Sequence, residues 1–284
     1  MIRSALLAAT LLAPSVLPAF AGEAELQNNK QIVEQFTGKA WSEKNADLVN
    51  LLVSKDFVQH NPMSGDGPAS ITGMFQYVSP KIKTVRSIAE GDLVVTQNDS
   101  TGWGSDVRYV SFDVFRIKDK QVVEHWDVMQ PFAEKTASGH SMIDGETKIA
   151  DLDKTAANKA LVEGFLKDVI YGGNFKNMAN YISTKAYTQH NPSVKDGLQG
   201  LGEAMAEMQK NGQAMGYEKT FRVIAEGNFV MVHSKGQFAG KSVAFADLMR
   251  VEDGKIVEHW DVIQDEVPAD KTKSGHDMFM QVSK

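Results

Sequence analysis

The chain has 284 residues, of which 42% are hydrophobic and 23% are charged, and its formal net charge is -6 at pH 7. This acidic balance, without a lysine- or arginine-rich run, argues against a nucleic-acid partner, because such partners require a basic surface. The chain contains no cysteine, which excludes disulfides, thiolate nucleophiles and zinc-thiolate sites. Stability must therefore come from packed cores, and the chain is long enough to supply them.

Residues 1–21 have the pattern of a secretory signal peptide. A positive charge is followed by an apolar run over residues 5–20, and the small-x-small pattern Ala-Phe-Ala ends at Ala21. An anchoring helix is the alternative, but Pro14 and Pro18 interrupt a run shorter than the ~20 residues of a membrane span. The sequence therefore predicts cleavage near Ala21/Gly22 and a periplasmic or secreted protein without stable membrane anchoring.

Four short motifs occur twice in the rest of the chain, in the same order. They are Gln-His-Asn-Pro at 59–62 and 189–192, Ala-Glu-Gly at 89–91 and 225–227, Val-Glu-His-Trp-Asp-Val at 123–128 and 257–262, and Ser-Gly-His at 138–140 and 274–276. Collinear motifs at so long a period indicate a duplicated domain rather than a solenoid unit. We predict a first domain over 22–143, a linker over 144–154 and a second domain over 155–284.

The second copy shows the order of elements most clearly. Apolar residues at helical spacing predict a helix that ends at Gly172-Gly173, and two further helices are expected around 175–182 and 198–210. Four strands follow, over 217–225, 229–237, 242–251 and 256–264, with hairpin turns at Glu226-Gly227-Asn228 and Asp253-Gly254. Helices followed by an antiparallel meander predict an α+β fold with the helices packed on one face of a sheet.

An ionisable pair interrupts the apolar strands of the second copy. Asp247 is the only ionisable residue on the strand face that it shares with Phe245, and His233 follows Met231 on the preceding strand. A carboxylate on a buried face is costly unless it is paired, and an apolar setting raises its pKa while a nearby imidazole lowers it. Such a group can abstract a proton next to a carbonyl. We predict His233 and Asp247 as a catalytic pair, with Met231 and Phe245 lining the pocket.

The first copy keeps the carboxylate as Asp113 but has Gln97 where His233 stands. The second domain is therefore the better catalytic candidate, and the first either binds without turnover or is structural. A structural reading of Asp247 stays open, in which it caps a hairpin or pairs with a backbone donor and His233 is its partner.

The other histidines and the tryptophans leave alternatives open. His60 and His190 precede Asn-Pro, where a turn-stabilising role and a ligand role are equally consistent. Alternation does not show which face of the Glu-His-Trp-Asp strand points inward, and Trp126 and Trp260 are expected in the pocket wall or the core.

A metal site is a further possibility that we do not predict. His125 with Asp127, or His259 with Asp261, could chelate an ion as i, i+2 strand ligands together with a third group. No pair of histidines at helical i, i+4 spacing supports this.

In its repeated motifs and at His233 and Asp247, the sequence resembles the SnoaL-like polyketide cyclase group of the ketosteroid-isomerase-like superfamily. The matching segments are 59–62, 113–120 and 123–128 in the first copy, and 189–192, His233, 247–255 and 257–262 in the second. The resemblance covers nearly all of the chain after residue 21. It implies two tandem cone-shaped α+β barrel domains, each a curved mixed or antiparallel sheet wrapped around helices with a deep pocket between.

The resemblance also implies a chemistry. In characterised cyclases a histidine and an aspartate fourteen positions apart act together, and the aspartate is the acid/base for an aldol closure that needs no metal or cofactor. His233 and Asp247 have that spacing, and His190 matches a further pocket histidine. Besides Met231 and Phe245, the residues expected to bind substrate are His60, Asp113, Trp126, His190, His259 and Trp260.

Two functions stay open at this point. The first is a cofactor-independent lyase, isomerase or cyclase that acts on a small apolar or carbonyl-containing molecule. The second is a non-catalytic periplasmic ligand-binding or accessory protein, which the superfamily also includes, so the fold cannot decide between them. Because superfamily members commonly dimerise through the outer sheet face, we expect the two copies to form an intramolecular pseudo-dimer in a monomeric chain.

Overall fold

The computed structural model describes residues 22–213 and 215–282. The predicted signal peptide, residues 1–21, lies outside the described residues. None of the helices in the described part of the chain is both long and apolar enough to cross a membrane. The described residues form two units of similar architecture.

Each unit is built on a five-stranded mixed sheet. The strands are β1 (Val53–Gln59), β2 (Lys81–Glu90), β3 (Leu93–Thr101), β4 (Tyr109–Lys118) and β5 (Gln121–Pro131), then β6 (Thr188–Gln189), β7 (Met215–Glu226), β8 (Phe229–Phe238), β9 (Lys241–Glu252) and β10 (Lys255–Asp265). Their order is β1-β5-β4-β3-β2 in the first sheet and β6-β10-β9-β8-β7 in the second. The pairs β1–β5 and β6–β10 are parallel, and the other pairs are antiparallel.

Helices pack on one face of each sheet. They are α1 (Glu23–Glu34) with a π-helical continuation (Gln35–Trp41), α2 (Ala46–Leu52) and α3 (Gly67–Met74), then α4 (Thr155–Phe165) with a π-helical continuation (Leu166–Tyr171), α5 (Met178–Tyr181) and α6 (Gly197–Lys210). The two units are thus α+β cones in tandem, and the predicted fold class is confirmed.

Two-residue turns close the predicted hairpins. Gly91 and Gly227 each have φ of 60°, which glycine adopts without a steric penalty at the first position of such a turn. Asp253 and Gly254 have φ of 49° and 70°, as a type I′ turn requires. At Gly227 a Cβ atom would also clash with the carbonyl oxygen of Ala150, so this turn accepts only glycine.

Three apolar clusters form the cores. One lies inside the first domain and includes Phe36, Phe57, Ile71 and Phe115. The second lies inside the second domain and includes Val162, Phe165, Val232 and Met249. The third lies between the two sheets and includes Trp126, Phe229, Met231, Trp260 and Phe279. Each sheet is therefore buried on both faces, by its own helices on one side and by the other domain on the opposite side.

The contact between the two sheets is reciprocal. The guanidinium carbon of Arg222, on β7, lies 3.6 Å from the ring centroid of Trp126, on β5 of the first domain. The guanidinium carbon of Arg86, on β2, lies 4.1 Å from the ring centroid of Trp260, on β10 of the second domain. Equivalent residues of the two domains thus make equivalent cation–π contacts.

Two glutamates join β2 and β7 across the same contact. Oε2 of Glu226 accepts from the backbone N–H of Ala89 at 2.6 Å, and Oε2 of Glu90 accepts from that of Ala225 at 2.8 Å. Oε1 of Glu226 also accepts from the ammonium group of Lys30 at 2.7 Å. Because Glu226 is buried, its carboxylate satisfies a backbone donor and a cation that water does not reach.

The chain that follows each sheet crosses to the other domain. We term residues 132–150 the first strap and residues 266–282 the second strap. The indole N–H of Trp260 donates to the carbonyl of Asp144 in the first strap at 2.9 Å, and that of Trp126 donates to the carbonyl of Met280 in the second strap at 3.3 Å. Each domain is therefore closed by a segment from the other.

We expect Glu226→Ala to lower the free energy of unfolding by about 2–4 kcal/mol, because it leaves the N–H of Ala89 and the charge of Lys30 without their buried partner. Urea denaturation followed by circular dichroism measures the change. Glu218→Ala, which removes an exposed carboxylate from the same strand, is the control and should change the stability by less than about 0.5 kcal/mol. Equal effects of the two substitutions would contradict the role given to Glu226.

Candidate functional site

The register of β8 and β9 separates the predicted catalytic pair. Asp247 lies opposite Val232, whereas His233 lies opposite Ala246. Directly opposed residues share a sheet face and successive residues alternate between faces. The side chains of His233 and Asp247 therefore leave the sheet on opposite sides, and the prediction that they act as a pair is wrong.

His233 faces the other domain. Its Nδ1 lies 3.2 Å from Nη1 of Arg222, and its ring centroid lies 5.5 Å from that of Phe279. Burial, together with the positive charges of Arg222 and His60, holds the pKa of His233 well below its ordinary value. Because arginine only donates hydrogen bonds, the neutral imidazole accepts one from Arg222. This contact is structural.

Five residues that we expected to bind substrate also lie between the sheets. They are His60, Trp126, His190, Met231 and Trp260, each at most 1% exposed. Nε2 of His60 lies 3.0 Å from Oε1 of Glu124, and its ring stacks on Trp126 at 4.9 Å between centroids. His190 makes the same contacts with Glu258 at 2.9 Å and with Trp260 at 4.6 Å. The expectation that these five line a pocket on the helix side is therefore corrected: they build the interdomain core.

The carboxylates that face the helices pair with other histidines. Nε2 of His125 lies 3.0 Å from Oδ1 of Asp113, and Nε2 of His259 lies 3.1 Å from Oδ1 of Asp247. An acid–imidazole pair therefore exists in both domains, with residues twelve positions apart. Asp113 and His259 both face the helix side of their sheets, but of the two only Asp113 lines a cavity, and sequence reasoning missed His125 as the partner of Asp113.

A β-bulge decides which residues of the Glu-His-Trp-Asp strand face inward. Uninterrupted pairing from the β9–β10 turn would set Trp260 opposite Asp247. A one-residue shift near the start of β10 sets Asp261 there instead, so the tryptophan faces outward. The same shift between β4 and β5 sets Asp127 opposite Asp113. The two bulges carry a second carboxylate into each domain.

The first domain encloses a cavity of about 450 Å³ between its sheet and its helices. Its walls are mainly apolar and aromatic, and include Phe36, Trp41, Phe57, Ile71, Trp103 and Phe115. Asp113, His125 and Asp127 line it from the sheet. An apolar cavity of this size with a few convergent polar groups is typical of a binding site for a small organic molecule.

Hydrogen bonds fix both ring nitrogens of His125 as donors. Oε1 of Gln59 accepts from the backbone N–H of Asn61 at 2.9 Å, so the atom that faces Nδ1 of His125 at 2.8 Å is an acceptor. On the other side Nε2 donates to the carboxylate of Asp113. Burial lowers the pKa of His125, but the hydrogen bond to Asp113 and the charges of Asp127 and Asp113 outweigh it and raise the pKa. The raised pKa and the acceptors on both sides favour the protonated ring.

Two buried side-chain oxygens of residues that line the cavity have no hydrogen-bond partner among the described residues. They are Oδ1 of Asp127 and Oγ of Ser64, from residues that are 7% and 5% exposed and line the cavity. The other oxygen of Asp127 accepts from Nδ2 of Asn61 at 2.6 Å. Because buried polar atoms are nearly always paired, this acceptor and this hydroxyl mark the polar part of the cavity lining as the candidate site.

The carboxyl group of Asp127 titrates near neutrality. Burial raises the pKa of Asp127 to about 6, and the charge of Asp113 raises it as well. The charge of His125 and the hydrogen bond from Asn61 lower the pKa but do not outweigh burial. A group with a pKa close to the working pH is present as a base and still returns a proton readily.

The corresponding space in the second domain is filled by side chains. Tyr217 and Phe245 stack with their ring centroids 4.4 Å apart, and the hydroxyl of Tyr217 lies 2.9 and 3.0 Å from the two oxygens of Asp247. By strand register they take the places of Ile82 and Ser111, which line the cavity of the first domain. The open cavity therefore lies in the domain opposite to the one we expected from the sequence.

The unpartnered atoms also have no equivalent in the second domain. Nδ2 of Asn191 donates to both oxygens of Asp261, at 3.0 and 2.7 Å, and Val194 stands in the repeat where Ser64 stands in the first copy. Burial still raises the pKa of Asp261 to about 6. The second domain thus keeps a buried carboxylate but offers no free atom beside it.

The first-domain cluster also has the spacing of metal ligands. One ligand atom from each of Asp113, His125 and Asp127 lies within 4.8 Å of the other two. Nε2 of His125 carries the proton that it donates to Asp113, and a metal ion would first have to displace that proton. In the structure the imidazolium itself supplies the positive charge beside the two carboxylates.

Residues 33–125 match the family described as the SnoaL-like domain. The matched segment runs from α1 to β5 and contains most of the cavity wall together with Asp113 and His125. The first domain therefore contains a segment that matches the SnoaL-like domain. The second unit repeats the strand order of the first and its motifs, so the chain is a tandem of two units with the same architecture.

Several solved structures are similar to a part of this chain about the size of one domain. TsrD from Streptomyces laurentii is 22% identical over 37% of this chain and 89% of its own, with a TM-score of 0.32. IdmH from Streptomyces antibioticus is 18% identical over 36% and 91%, with a TM-score of 0.32. An LEH-like epoxide hydrolase from M. tuberculosis is 21% identical over 37% and 85%, with a TM-score of 0.34. A comparison with curated protein sequences finds no match.

We expect Asp127→Asn to raise the free energy of unfolding at pH 7.5 by about 1–3 kcal/mol. The folded pKa of about 6 lies above the unfolded value of about 3.9, so the folded state holds the proton more tightly and wild-type stability falls as the pH rises through this interval. The amide side chain in Asp127→Asn does not titrate, so the variant does not lose this stability as the pH rises. Thermal denaturation at pH 4 and pH 7.5 measures it, and the gain should disappear at pH 4.

Two variants control this comparison. Asp261→Asn should behave like Asp127→Asn, because burial raises the pKa of Asp261 to about 6 as well. Asp106→Asn, at an exposed site, should leave the stability unchanged at both pH values. A stability gain from Asp127→Asn that is the same at pH 4 and pH 7.5 would rule out the titration of Asp127 as its cause.

Proposed function

We propose that the chain is an exported SnoaL-like protein whose first domain binds a small, largely apolar carbonyl compound and transfers a proton on it without a cofactor. Lyases, isomerases and cyclases share this step. The observation that carries the proposal is a buried carboxylate, Asp127, in the lining of an apolar cavity, with an Oδ1 that has no hydrogen-bond partner among the described residues. The same arrangement is closed in the second domain, which we assign a structural role.

The residues around the cavity supply the groups that the step needs. Asp127, largely ionised at neutral pH, accepts a proton from the carbon next to the substrate carbonyl. As the electron pair moves onto the carbonyl oxygen, the hydroxyl of Ser64 donates a hydrogen bond to the negative charge that develops there. Asn61 holds the carboxylate through its other oxygen. These donors are in place before the reaction and require little rearrangement.

The fate of the resulting enolate defines the class of enzyme. Return of the proton from Asp127 to a different carbon completes an isomerisation. Departure of a group from the β-carbon completes an elimination, and attack on a second carbonyl of the same molecule completes an aldol cyclisation. The proton taken by Asp127 goes to the leaving group in the elimination and to the new alkoxide oxygen in the cyclisation. In each case the carboxyl group of Asp127 therefore begins and ends the cycle ionised.

Hydrogen–deuterium exchange tests this role of Asp127. We expect the wild-type protein to exchange the α-hydrogens of a ketone that it binds, from a panel screened in D2O by mass spectrometry, and Asp127→Asn to slow exchange by about 10²–10⁴-fold. Because the base must be ionised, the wild-type rate should rise with pH and level off above the pKa of Asp127, about 6.

The controls separate catalysis from binding. Asp261→Asn, in the filled second domain, should exchange at the wild-type rate, and Asp127→Asn should keep its ketone affinity within a few-fold. Undiminished exchange by Asp127→Asn would refute the proposal. Binding without exchange by the wild type would identify a ligand-binding protein instead.

Export is a separate part of the proposal. It rests on the apolar segment and the small-x-small pattern before Gly22. We expect the intact mass of the protein recovered from the periplasm or the medium to correspond to a chain that begins at Gly22. A full-length chain confined to the cytoplasm would contradict export.

A further inference from the structure

A lysine from the second domain stands at the mouth of the first-domain cavity. Lys273, in the second strap, is one of the residues that line the cavity. Its backbone N–H donates to the carbonyl of Pro62 at 3.0 Å, and Nε2 of His276 lies 3.0 Å from Oδ2 of Asp66. The strap is thus fastened to the first domain at Lys273 itself and three residues further along, at His276, which fixes where the lysine side chain begins.

Lys273 carries a solvent-exposed charge at the cavity. It is the only lysine or arginine among the described residues that line the cavity, and it has no ion-pair partner in the described part of the chain. Other exposed parts of the cavity lining are apolar or aromatic, as at Met63 and Tyr77. The carboxylates of Asp113 and Asp127 lie on the sheet wall. The cavity therefore has a cation at its mouth and anions on its inner wall.

The second domain offers a comparison within the same chain. The backbone N–H of Ala137, in the first strap, donates to the carbonyl of Pro192 at 2.8 Å, as that of Lys273 does to Pro62. Alanine therefore stands in the place of the lysine where Tyr217 and Phe245 fill the interior. The cationic side chain occurs at the mouth of the open cavity and is missing at the filled one.

We infer that Lys273 binds an anionic group at the outer end of the ligand. The ligand is then an amphipathic anion, with its charged group at the mouth, an apolar body along the aromatic walls and its carbonyl next to Asp127. The inner carboxylates repel the anionic end and so set this orientation. The inference depends on the proposed function only for the position of the carbonyl.

Binding of two matched probes tests the inference. Decanoate and decan-1-ol have the same carbon chain and differ in charge, and isothermal titration with the whole mature chain gives their affinities. We expect Lys273→Gln to weaken decanoate binding about three- to tenfold and to leave decan-1-ol unchanged. Added salt should weaken decanoate binding to the wild type and have a smaller effect on the variant.

Lys271→Gln is the matched control. Lys271 is an exposed lysine of the same strap that does not line the cavity, and its substitution should affect neither probe. An unchanged affinity of Lys273→Gln for decanoate, or an equal loss for both probes, would overturn the inference and leave the exchange experiment on Asp127 to decide the proposed function. If the wild type binds neither probe, the cavity does not take an apolar chain and the inference fails.

Discussion

A one-residue bulge at the start of β5 and of β10 is the constraint on which the rest of the structure depends. The side-chain period of a strand is two, so a one-residue shift reverses every side chain that follows relative to the neighbouring strand. The bulge turns Trp126 and Trp260 outward, where they meet an arginine of the other domain. It turns the histidine and the aspartate on either side of each tryptophan inward. The interdomain core and the polar cluster are thus two results of a single backbone irregularity.

The duplicated domains use the same backbone for different purposes. Three replacements change a cavity into a core: the positions of Ile82, Ser111 and Ser64 carry Tyr217, Phe245 and Val194 in the second domain. The larger side chains fill the space, and the hydroxyl of Tyr217 donates a hydrogen bond to the carboxylate of Asp247. The second domain still covers the outer sheet face of the first and supplies part of its rim.

Much of this architecture is readable in the sequence, and the part that is not has a physical reason. Repeated motifs, turn glycines and alternation predicted two α+β units, their strands and the burial of Asp247. Alternation relates residues within one strand, but it does not give the register between strands. The fourteen-residue spacing of His233 and Asp247 therefore suggested a partnership that the pairing of Val232 with Asp247 prevents. Whether the space inside a domain is open or filled depends on side chains that are distant in the sequence and come into contact only in the folded chain. The sequence therefore did not reveal that the two domains differ in this respect.

The second strap also affects the order in which the chain can fold. Residues 266–282 are the last of the described residues to be synthesised, yet they contact the first domain. The carbonyl of Asp277 lies 2.6 Å from Nδ1 of His60, and the N–H of Val282 donates to Glu124 at 2.9 Å. A nascent chain that has emerged only as far as β10 leaves these buried groups, and the indole of Trp126, without partners. The amino-terminal half therefore reaches its final form only after the second strap has been synthesised.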